Sequence, residues 1–262
     1  MMRRTLTLLL FLISHQIIAQ DYTVIHVIGK IYDSSTKSYL KPGAKLAENA
    51  QLKFESANAR AAALSASRGR YIIQRQAAQS TSGDLVYTLA SVLAPARGKM
   101  STRAGGINNQ MDFMKKFGEG PVALISGRYE VAVSPTSYPT NDVKFFYASY
   151  SFNDELINKK LEVQNDKLIF DASSFYSIDG IAVDPAMTSN TKLFYYDSDS
   201  QESTEIAPLN FSIVGATEIK SINSSLGDID SEERIASLVD IFNSLYGKCE
   251  ESQVRAALKN MD

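Results

Sequence analysis

The fold of this chain follows first from the stretch VIHVIGKI, residues 24–31. Its β-branched side chains favour an extended backbone, and a glycine inside such a run usually marks a bulge or a close approach of another backbone segment. We therefore expect one bent strand, with Gly29 at the bend. Gly29, Gly43 and Gly69 separate three apolar runs between Val27 and Gln74. This punctuation predicts one compact β module.

The residues that follow the first strand supply turns and further strands. Pro42 and Gly43 occupy the two central positions of a predicted type II turn, because proline presets its φ angle and glycine tolerates a positive one. The alanine-rich residues 57–64 also suit a helix. We favour a strand there because a turn follows at residues 65–69 and residues 71–73 are strongly β-prone.

Five features of this region follow one another in order. They are an apolar-Gly-apolar strand, a Leu-x-x-Gly-x-x-Leu turn, an apolar pair, a small-residue run ending in leucine, and a glycine turn before a last strand. They stand at residues 28–31, 40–46, 52–54, 59–64 and 69–73. Their order resembles the FecR-like periplasmic domain, over about residues 24–74. The resemblance implies a β fold and an envelope setting.

The chain departs from the FecR-like pattern in two respects. Asn49-Ala50 stands where the family usually has Gly-Asp before its third strand. We also expect no cytoplasmic signalling segment before the module, whereas proteins with the whole FecR arrangement relay a signal across the inner membrane. The resemblance therefore implies a setting more than a role.

Residues 1–19 have the features of a signal peptide. Arg3 and Arg4 precede a mainly apolar stretch, residues 6–18, which is followed by Ala19. An uncleaved anchor is the less favoured alternative, because a helix that crosses a bilayer needs roughly 20 apolar residues. We expect cleavage after Ala19, no membrane span in the mature chain, and a periplasmic or secreted protein.

Charge and composition argue against several classes of function. Arg3 and Arg4 leave with the signal peptide, so 25 of the 27 basic side chains remain against 29 acidic ones, which argues against nucleic acid as a partner. Cys249 is the only cysteine, so no intramolecular disulfide can form. His26, the one histidine of the mature chain, lies in a predicted strand. We therefore expect no Ser-His-Asp or Cys-His site, no metal site and no cofactor.

Composition divides the mature chain into three parts. The FecR-like β module is expected at residues 20–76, a connector at residues 77–120, and a second β-rich domain at residues 121–262. Within the connector, apolar side chains at helical spacing predict a short helix over residues 108–117, ended by Gly118.

The connector also contains three candidate ligand-binding residues. A basic run precedes Gly105-Gly106, where backbone N–H groups can cradle an anion. The alternative is a solvated loop, because the spacing matches no known phosphate loop. The candidate residues are Arg97, Lys99 and Arg103.

Short strands and turn residues predict a β-sandwich-like second domain with C-terminal helices. Asn165-Asp166 and Asp179-Gly180 lie between apolar runs and predict tight hairpin turns. Asp230 is a candidate N-cap for an amphipathic helix over residues 231–246, and a shorter helix is expected over residues 252–261. Further strands are expected at residues 122–125, 129–133, 144–150, 193–196 and 209–214.

The strand expected at residues 144–150 carries aromatic side chains on both of its sides. Phe145 and Tyr147 alternate with Phe146 and Tyr150, and side chains alternate across a strand. One side can therefore belong to the core while the other forms a visible platform for a carbohydrate. Burial of both sides is the alternative.

These observations favour a mainly β, non-catalytic, exported protein of the bacterial envelope that acts as a binding or scaffolding component. We expect its partner to be another envelope protein or a glycan. The alternative is a secreted or periplasmic hydrolase that uses a pair of carboxylates, because such enzymes need no histidine. The sequence selects no particular pair, and it assigns no catalytic residue.

Overall fold

Residues 22–65, 68–75, 86–96 and 106–261 are described by a computed structural model. The protein is mainly β, as the sequence predicts, with 44% of its residues in strands and 24% in helices, and it contains several antiparallel sheets and C-terminal helices. It divides into two units, the first ending at Pro95 and the second beginning at Ala96. None of the helices in these ranges combines the length and apolar character needed to cross a membrane.

The described residues of the first unit form two antiparallel sheets and one short helix. Its elements are β1 (Tyr22–Ile28), β2 (Ile31–Asp33), β3 (Ser38–Tyr39), β4 (Lys45–Leu46), β5 (Gln51–Phe54), β6 (Arg60–Ser65), β7 (Gly69–Gln74), β8 (Val86–Thr88), helix α1 (Leu89–Val92) and β9 (Leu93–Pro95). One sheet has the strand order β4-β1-β6-β7-β9 and the other β3-β2-β5-β8. Both sheets contribute to a core that includes Tyr22, Ile31, Leu52 and Ile73.

The expected bent strand at the start of this unit is two strands in different sheets. Gly29 has a φ angle of +72°, a left-handed value that ends β1, and β2 begins two residues later. A Cβ atom on Gly29 would lie 3.2 Å from Ala59, so the close backbone approach is real. The register irregularity lies instead between Val24 and His26, where β1 pairs with β6. The prediction of a continuous strand was wrong because the left-handed turn redirects the chain.

The first unit also extends past the boundary expected at Gln76. Strand β8 pairs with β5, and β9 pairs with β7. Leu89 and Val92 of α1 are buried in the same core as the earlier strands. Residues 86–95 therefore belong to the first unit rather than to a connector, because their apolar side chains complete its two sheets.

The turn at Pro42-Gly43 has the predicted geometry. Gly43 has a φ angle of +87°, and the Ala44 N–H donates to the carbonyl oxygen of Lys41 at 3.0 Å. The preceding strand β3 and the following strand β4 lie in different sheets.

The second unit begins with helix α2 and contains the remaining strands and helices. Its elements are α2 (Gln110–Phe117), β10 (Val122–Ile125), β11 (Arg128–Ala132), β12 (Lys144–Phe152), β13 (Glu155–Lys160), β14 (Glu162–Gln164), β15 (Lys167–Asp171), α3 (Ala172–Phe175), β16 (Ser177–Ile178), β17 (Ile181–Ala182), a 3₁₀ turn (Pro185–Met187), β18 (Thr188–Asp197), β19 (Glu202–Pro208), β20 (Phe211–Val214), α4 (Ala216–Ser225), α5 (Ser231–Leu245) and α6 (Glu251–Lys259).

Within residues 106–261, the strands of the second unit form four sheets. A four-stranded antiparallel sheet has the order β13-β12-β18-β19, and a three-stranded one has the order β11-β15-β14. Strands β16 and β17 form a hairpin. Strands β10 and β20 form a parallel pair. The sequence did not predict this pair because the two strands are far apart along the chain.

Helix α2 belongs to the core of this unit rather than to a connector. Its Asn109 N-cap accepts a hydrogen bond from the N–H of Asp112, and Gly118 follows its last residue, as expected. Phe113 and Phe117 are buried against aromatic side chains of several strands. Their rings contact those of Tyr129, Tyr138, Phe146, Phe170 and Phe211.

Local turn and capping signals were predicted correctly in this unit. Asn165 and Asp166 have φ angles of +50° and +60°, and Asp179 and Gly180 have +50° and +81°, as hairpin turns of this kind require. The Asp230 side chain accepts hydrogen bonds from two N–H groups in the first turn of α5. Helix α4 was not predicted.

Candidate functional site

One side of strand β12 is accessible to solvent, and its other side belongs to the hydrophobic core. Phe146 and Tyr150 are fully buried in the cluster that also holds α2. Phe145 and Tyr147 are only half-buried. Of the two arrangements that the sequence left open, the structure therefore has one core side and one accessible side.

Strand β18 doubles the number of aromatic rings on that accessible side. Phe194 lies directly opposite Tyr147, and Tyr196 lies directly opposite Phe145. The rings of Tyr147 and Phe194 are stacked, with centroids 5.0 Å apart and planes 10° from parallel. The rings of Phe145 and Tyr196 lie 5.3 Å apart and are tilted by 54°. We call these four residues the aromatic face.

Polar side chains surround the aromatic face. The Tyr147 hydroxyl and Ser203 Oγ share a hydrogen bond of 2.7 Å, which holds the tyrosine ring in place. Lys160 Nζ lies 4.3 Å from the centre of the Phe145 ring. Glu205 lies opposite Phe194 and forms a 2.8 Å ion pair with Lys192.

This combination of rings and polar groups suits a sugar. A pyranose ring has an apolar C–H face that can stack on an aromatic ring, and its hydroxyl groups need hydrogen-bond partners at the edge. Ring stacking of Tyr147 on Phe194 and the hydrogen bond to Ser203 order the surface before a ligand arrives. A preordered surface loses less conformational entropy on binding.

A cleft of about 540 Å³ lies elsewhere in the second unit, between strand β11 and helix α6. Small and apolar side chains form part of its wall, among them Ile125, Val131, Ala256 and Ala257. Its charged side chains are Lys116, Arg128, Glu130, Lys167 and Glu250. The cleft is therefore mixed in character, with three cations and two carboxylates.

Glu250 is held by two partners at the edge of the cleft. Lys116 Nζ lies 2.5 Å from Glu250 Oε1, and both side chains are 20% exposed. The Tyr129 hydroxyl donates to the same oxygen at 3.0 Å. Burial raises the pKa of Tyr129, and the neighbouring Glu250 charge raises it further, so Tyr129 stays a neutral donor.

Glu130 is likewise paired with cations. It accepts hydrogen bonds from Arg128 Nε at 3.0 Å and from Lys167 Nζ at 3.2 Å. Partial burial acts to raise the pKa of Glu130, but the hydrogen bonds from Arg128 and Lys167 outweigh it and the pKa is lowered. A carboxyl group that donates a proton in hydrolysis needs a raised pKa, so this environment does not favour that role for Glu130.

The sequence and the structure point to different residues for the site. Arg97, Lys99 and Arg103, the candidates taken from the sequence, lie outside the residues that the structure describes. Phe145 and Tyr147 were recognised from their alternation. Phe194 and Tyr196 were assigned only to a strand, although they alternate in the same way, and their position opposite β12 depends on strand pairing.

Across the described ranges, no group of three or more histidine, cysteine, aspartate or glutamate side chains is arranged to hold a metal ion. No protein-family model, no curated protein and no solved structure matches this chain.

Proposed function

We propose that this chain is a non-catalytic, exported binding protein of the bacterial envelope and that its aromatic face binds a glycan. The observation that carries the proposal is the set of four half-buried rings on one side of the β12–β18 pair. The export signal at residues 1–19 and the FecR-like pattern of the first unit support an envelope setting. In this view the first unit is a scaffold and the second unit binds.

Three properties of the aromatic face support a glycan over a purely apolar partner. The rings are only half-buried, so part of each is available to a ligand. Lys160, Ser203 and Glu205 supply a charged and polar border that can bond to hydroxyl groups. The ring of Tyr147 is fixed on both its face, by Phe194, and its tip, by Ser203.

A second candidate function is hydrolysis by the carboxylates of the cleft. It is favoured by one observation, the presence of Glu130 and Glu250 in the same cleft. Each of them is paired with at least one cation, and the pKa of Glu130 is lowered. The aromatic face therefore supports binding better than the cleft supports proton transfer.

Cosedimentation of the mature chain with insoluble polysaccharides tests the proposal. The probes are purified peptidoglycan sacculi, chitin and cellulose, and the variant is the double substitution Tyr147→Ala, Phe194→Ala. We expect the mature chain to sediment with at least one probe, and the double variant to bind about 10-fold more weakly or worse, because stacking contributes on the order of 1–2 kcal/mol. The matched control is Tyr39→Ala, which removes an exposed tyrosine from the first unit.

Two results would count against the proposal. Equal binding of the double variant would show that the glycan site lies elsewhere. Failure of the mature chain to bind any of the three probes would contradict the proposal that it binds a glycan. Release of soluble sugar by the mature chain, abolished by Glu250→Gln, would instead support the hydrolase.

A further inference from the structure

Strand β11 lies at the edge of its three-stranded sheet. Its odd-numbered residues make the hydrogen bonds on the side of β15, since the Val133 N–H donates to Asp166 and the Gly127 carbonyl accepts from Ala172 at the two ends. Backbone groups alternate in direction along a strand. The N–H and C=O groups of Arg128, Glu130 and Ala132 therefore face away from β15.

The two ends of this outer edge already have partners. Gln253 Nε2 of helix α6 donates to the Arg128 carbonyl oxygen at 3.3 Å. The Ile107 N–H donates to the Ala132 carbonyl oxygen at 2.8 Å. Between them, no backbone group of the described residues pairs with Glu130. The edge thus offers three N–H donors, those of Arg128, Glu130 and Ala132, but one carbonyl acceptor.

This edge borders the cleft described above. Arg128, Glu130 and Ala132 all contribute to its wall, and helix α6 forms the opposite wall with the small side chains of Ala256 and Ala257. A strand of five residues spans about 14 Å from first to last residue at roughly 3.4 Å per residue. The wall that β11 contributes to the cleft is therefore about as long as a short extended peptide.

Charge in the cleft agrees with the surplus of N–H donors. Three cations, Lys116, Arg128 and Lys167, line it against two carboxylates, Glu130 and Glu250. Glu130 is shared between Arg128 and Lys167, and Arg128 also lies 3.9 Å from Asp171, which does not line the cleft. The lining itself therefore carries one more cation than carboxylates. A ligand that brings carbonyl oxygens and carboxylates matches both features.

We propose that the cleft binds a short, acidic, extended peptide of a partner protein, which adds as a strand along the outer edge of β11. One peptide N–H donates to the Glu130 carbonyl, and peptide carbonyls accept from the N–H groups of Arg128, Glu130 and Ala132. Acidic side chains of the peptide lie beside Arg128 and Lys167, on the exposed side of β11. This proposal is independent of the glycan site, because it uses a different sheet.

Fluorescence anisotropy with three labelled peptides tests the proposal on the mature chain. The probes are acetyl-Thr-Glu-Val-Glu-Thr-amide, the same peptide with lysine in place of glutamate, and the glutamate peptide with its three central residues N-methylated. We expect saturable binding of the first, at least about 10-fold weaker binding of the lysine peptide, and a comparable loss on N-methylation, because each removes one recognition feature. Equal binding of all three would overturn the proposal.

Two substitutions at one position separate the backbone from the side chain. Glu130→Pro removes the N–H that faces the cleft, and proline is tolerated on an edge strand when its nitrogen faces away from the ladder. Glu130→Ala keeps that N–H and removes a negative charge. We expect Glu130→Pro to lose at least about 10-fold in affinity for the glutamate peptide and Glu130→Ala to bind it at least as tightly as the natural chain. Loss of binding in Glu130→Ala but not in Glu130→Pro would overturn strand addition. Should Glu130→Pro fail to fold, the N-methylated peptide decides the question.

Discussion

Tyr147 and Phe194 are 47 positions apart along the chain, yet they pair across neighbouring strands and their rings are 5.0 Å apart and nearly parallel. The sheet register alone places them face to face, because directly opposite residues on neighbouring strands share a side of the sheet. Ser203, on the next strand, then fixes the Tyr147 hydroxyl. Three strands thus cooperate in one ordered surface.

The first prediction concerns the extent of the first unit. A fragment of residues 20–95 should unfold cooperatively, whereas a fragment of residues 20–76 should not, because it lacks β8, α1 and β9. The shorter fragment loses Leu89 and Val92 from the core, and each buried aliphatic side chain contributes roughly 2 kcal/mol. Thermal denaturation followed by circular dichroism distinguishes the two. A cooperative transition of equal midpoint in both fragments would contradict the pairing of β8 and β9.

The second prediction concerns Gly247, which follows helix α5. Its φ angle is +106°, and a Cβ atom there would lie 2.2 Å from the carbonyl oxygen of Pro121. Gly247→Ala should therefore lower the free energy of unfolding by roughly 3 kcal/mol or more, since the backbone must move. The control is Gly180→Ala, where φ is +81° but the space is open, with an expected cost of about 1 kcal/mol. Urea denaturation measures both, and equal costs would show that the contact with Pro121 is easily relieved.

The third prediction concerns the pH dependence contributed by Asp171. Hydrogen bonds from the Ser173 hydroxyl and from the N–H groups of Ser173 and Ser174 lower the pKa of Asp171 in the folded chain. Its stabilising effect is therefore complete above the unfolded pKa of about 3.9 and is lost as the pH falls through the lower, folded value. Asp171→Asn, which lacks this contribution, should therefore unfold at a lower urea concentration near pH 6 and show a smaller drop in stability on acidification to pH 3. An unchanged drop would show that Asp171 is not a source of the acid sensitivity.

The fourth prediction concerns the thiol of Cys249. Burial, with the neighbouring charge of Glu250, raises its pKa to about 12. At pH 8 only on the order of one thiol in 10⁴ is then ionised, so an aromatic disulfide reagent should react slowly with the folded chain and rapidly in denaturant. Because Cys249 is the only cysteine, the signal reports this site alone. Rapid reaction in the folded chain would contradict its burial.

Local structure could be predicted from the sequence where neighbouring residues determine it. Pro42-Gly43 and Asn165-Asp166 set their turns within four residues, and Asp230 caps its helix within three. The break at Gly29 was read as a bend because its consequence depends on Ala59, which is distant in sequence. The pairing of β8 with β5 and the parallel pair of β10 and β20 were not predicted either, because these strands are also distant in sequence.

The candidate site was predictable only in part, for the same physical reason. Alternation along one strand identified Phe145 and Tyr147, but the side that faces solvent is decided by the rest of the fold. The cleft depends on a helix about 120 residues from the strand it faces, since Gln253 contacts Arg128. No local sequence pattern predicts a contact between elements so far apart along the chain.

The central claim is that a glycan stacks on the aromatic face, and a fluorescence titration of the variant Phe194→Trp tests it most directly. The natural chain has no tryptophan, so the introduced indole is a unique reporter next to Tyr147. Soluble fragments of whichever polysaccharide the mature chain sediments with are titrated in, with Tyr39→Trp in the first unit as the control. We predict a saturable blue shift for Phe194→Trp and none for Tyr39→Trp, because a bound sugar removes water from the indole at the aromatic face alone. Absence of any spectral change in Phe194→Trp at sugar concentrations that saturate binding would contradict the claim.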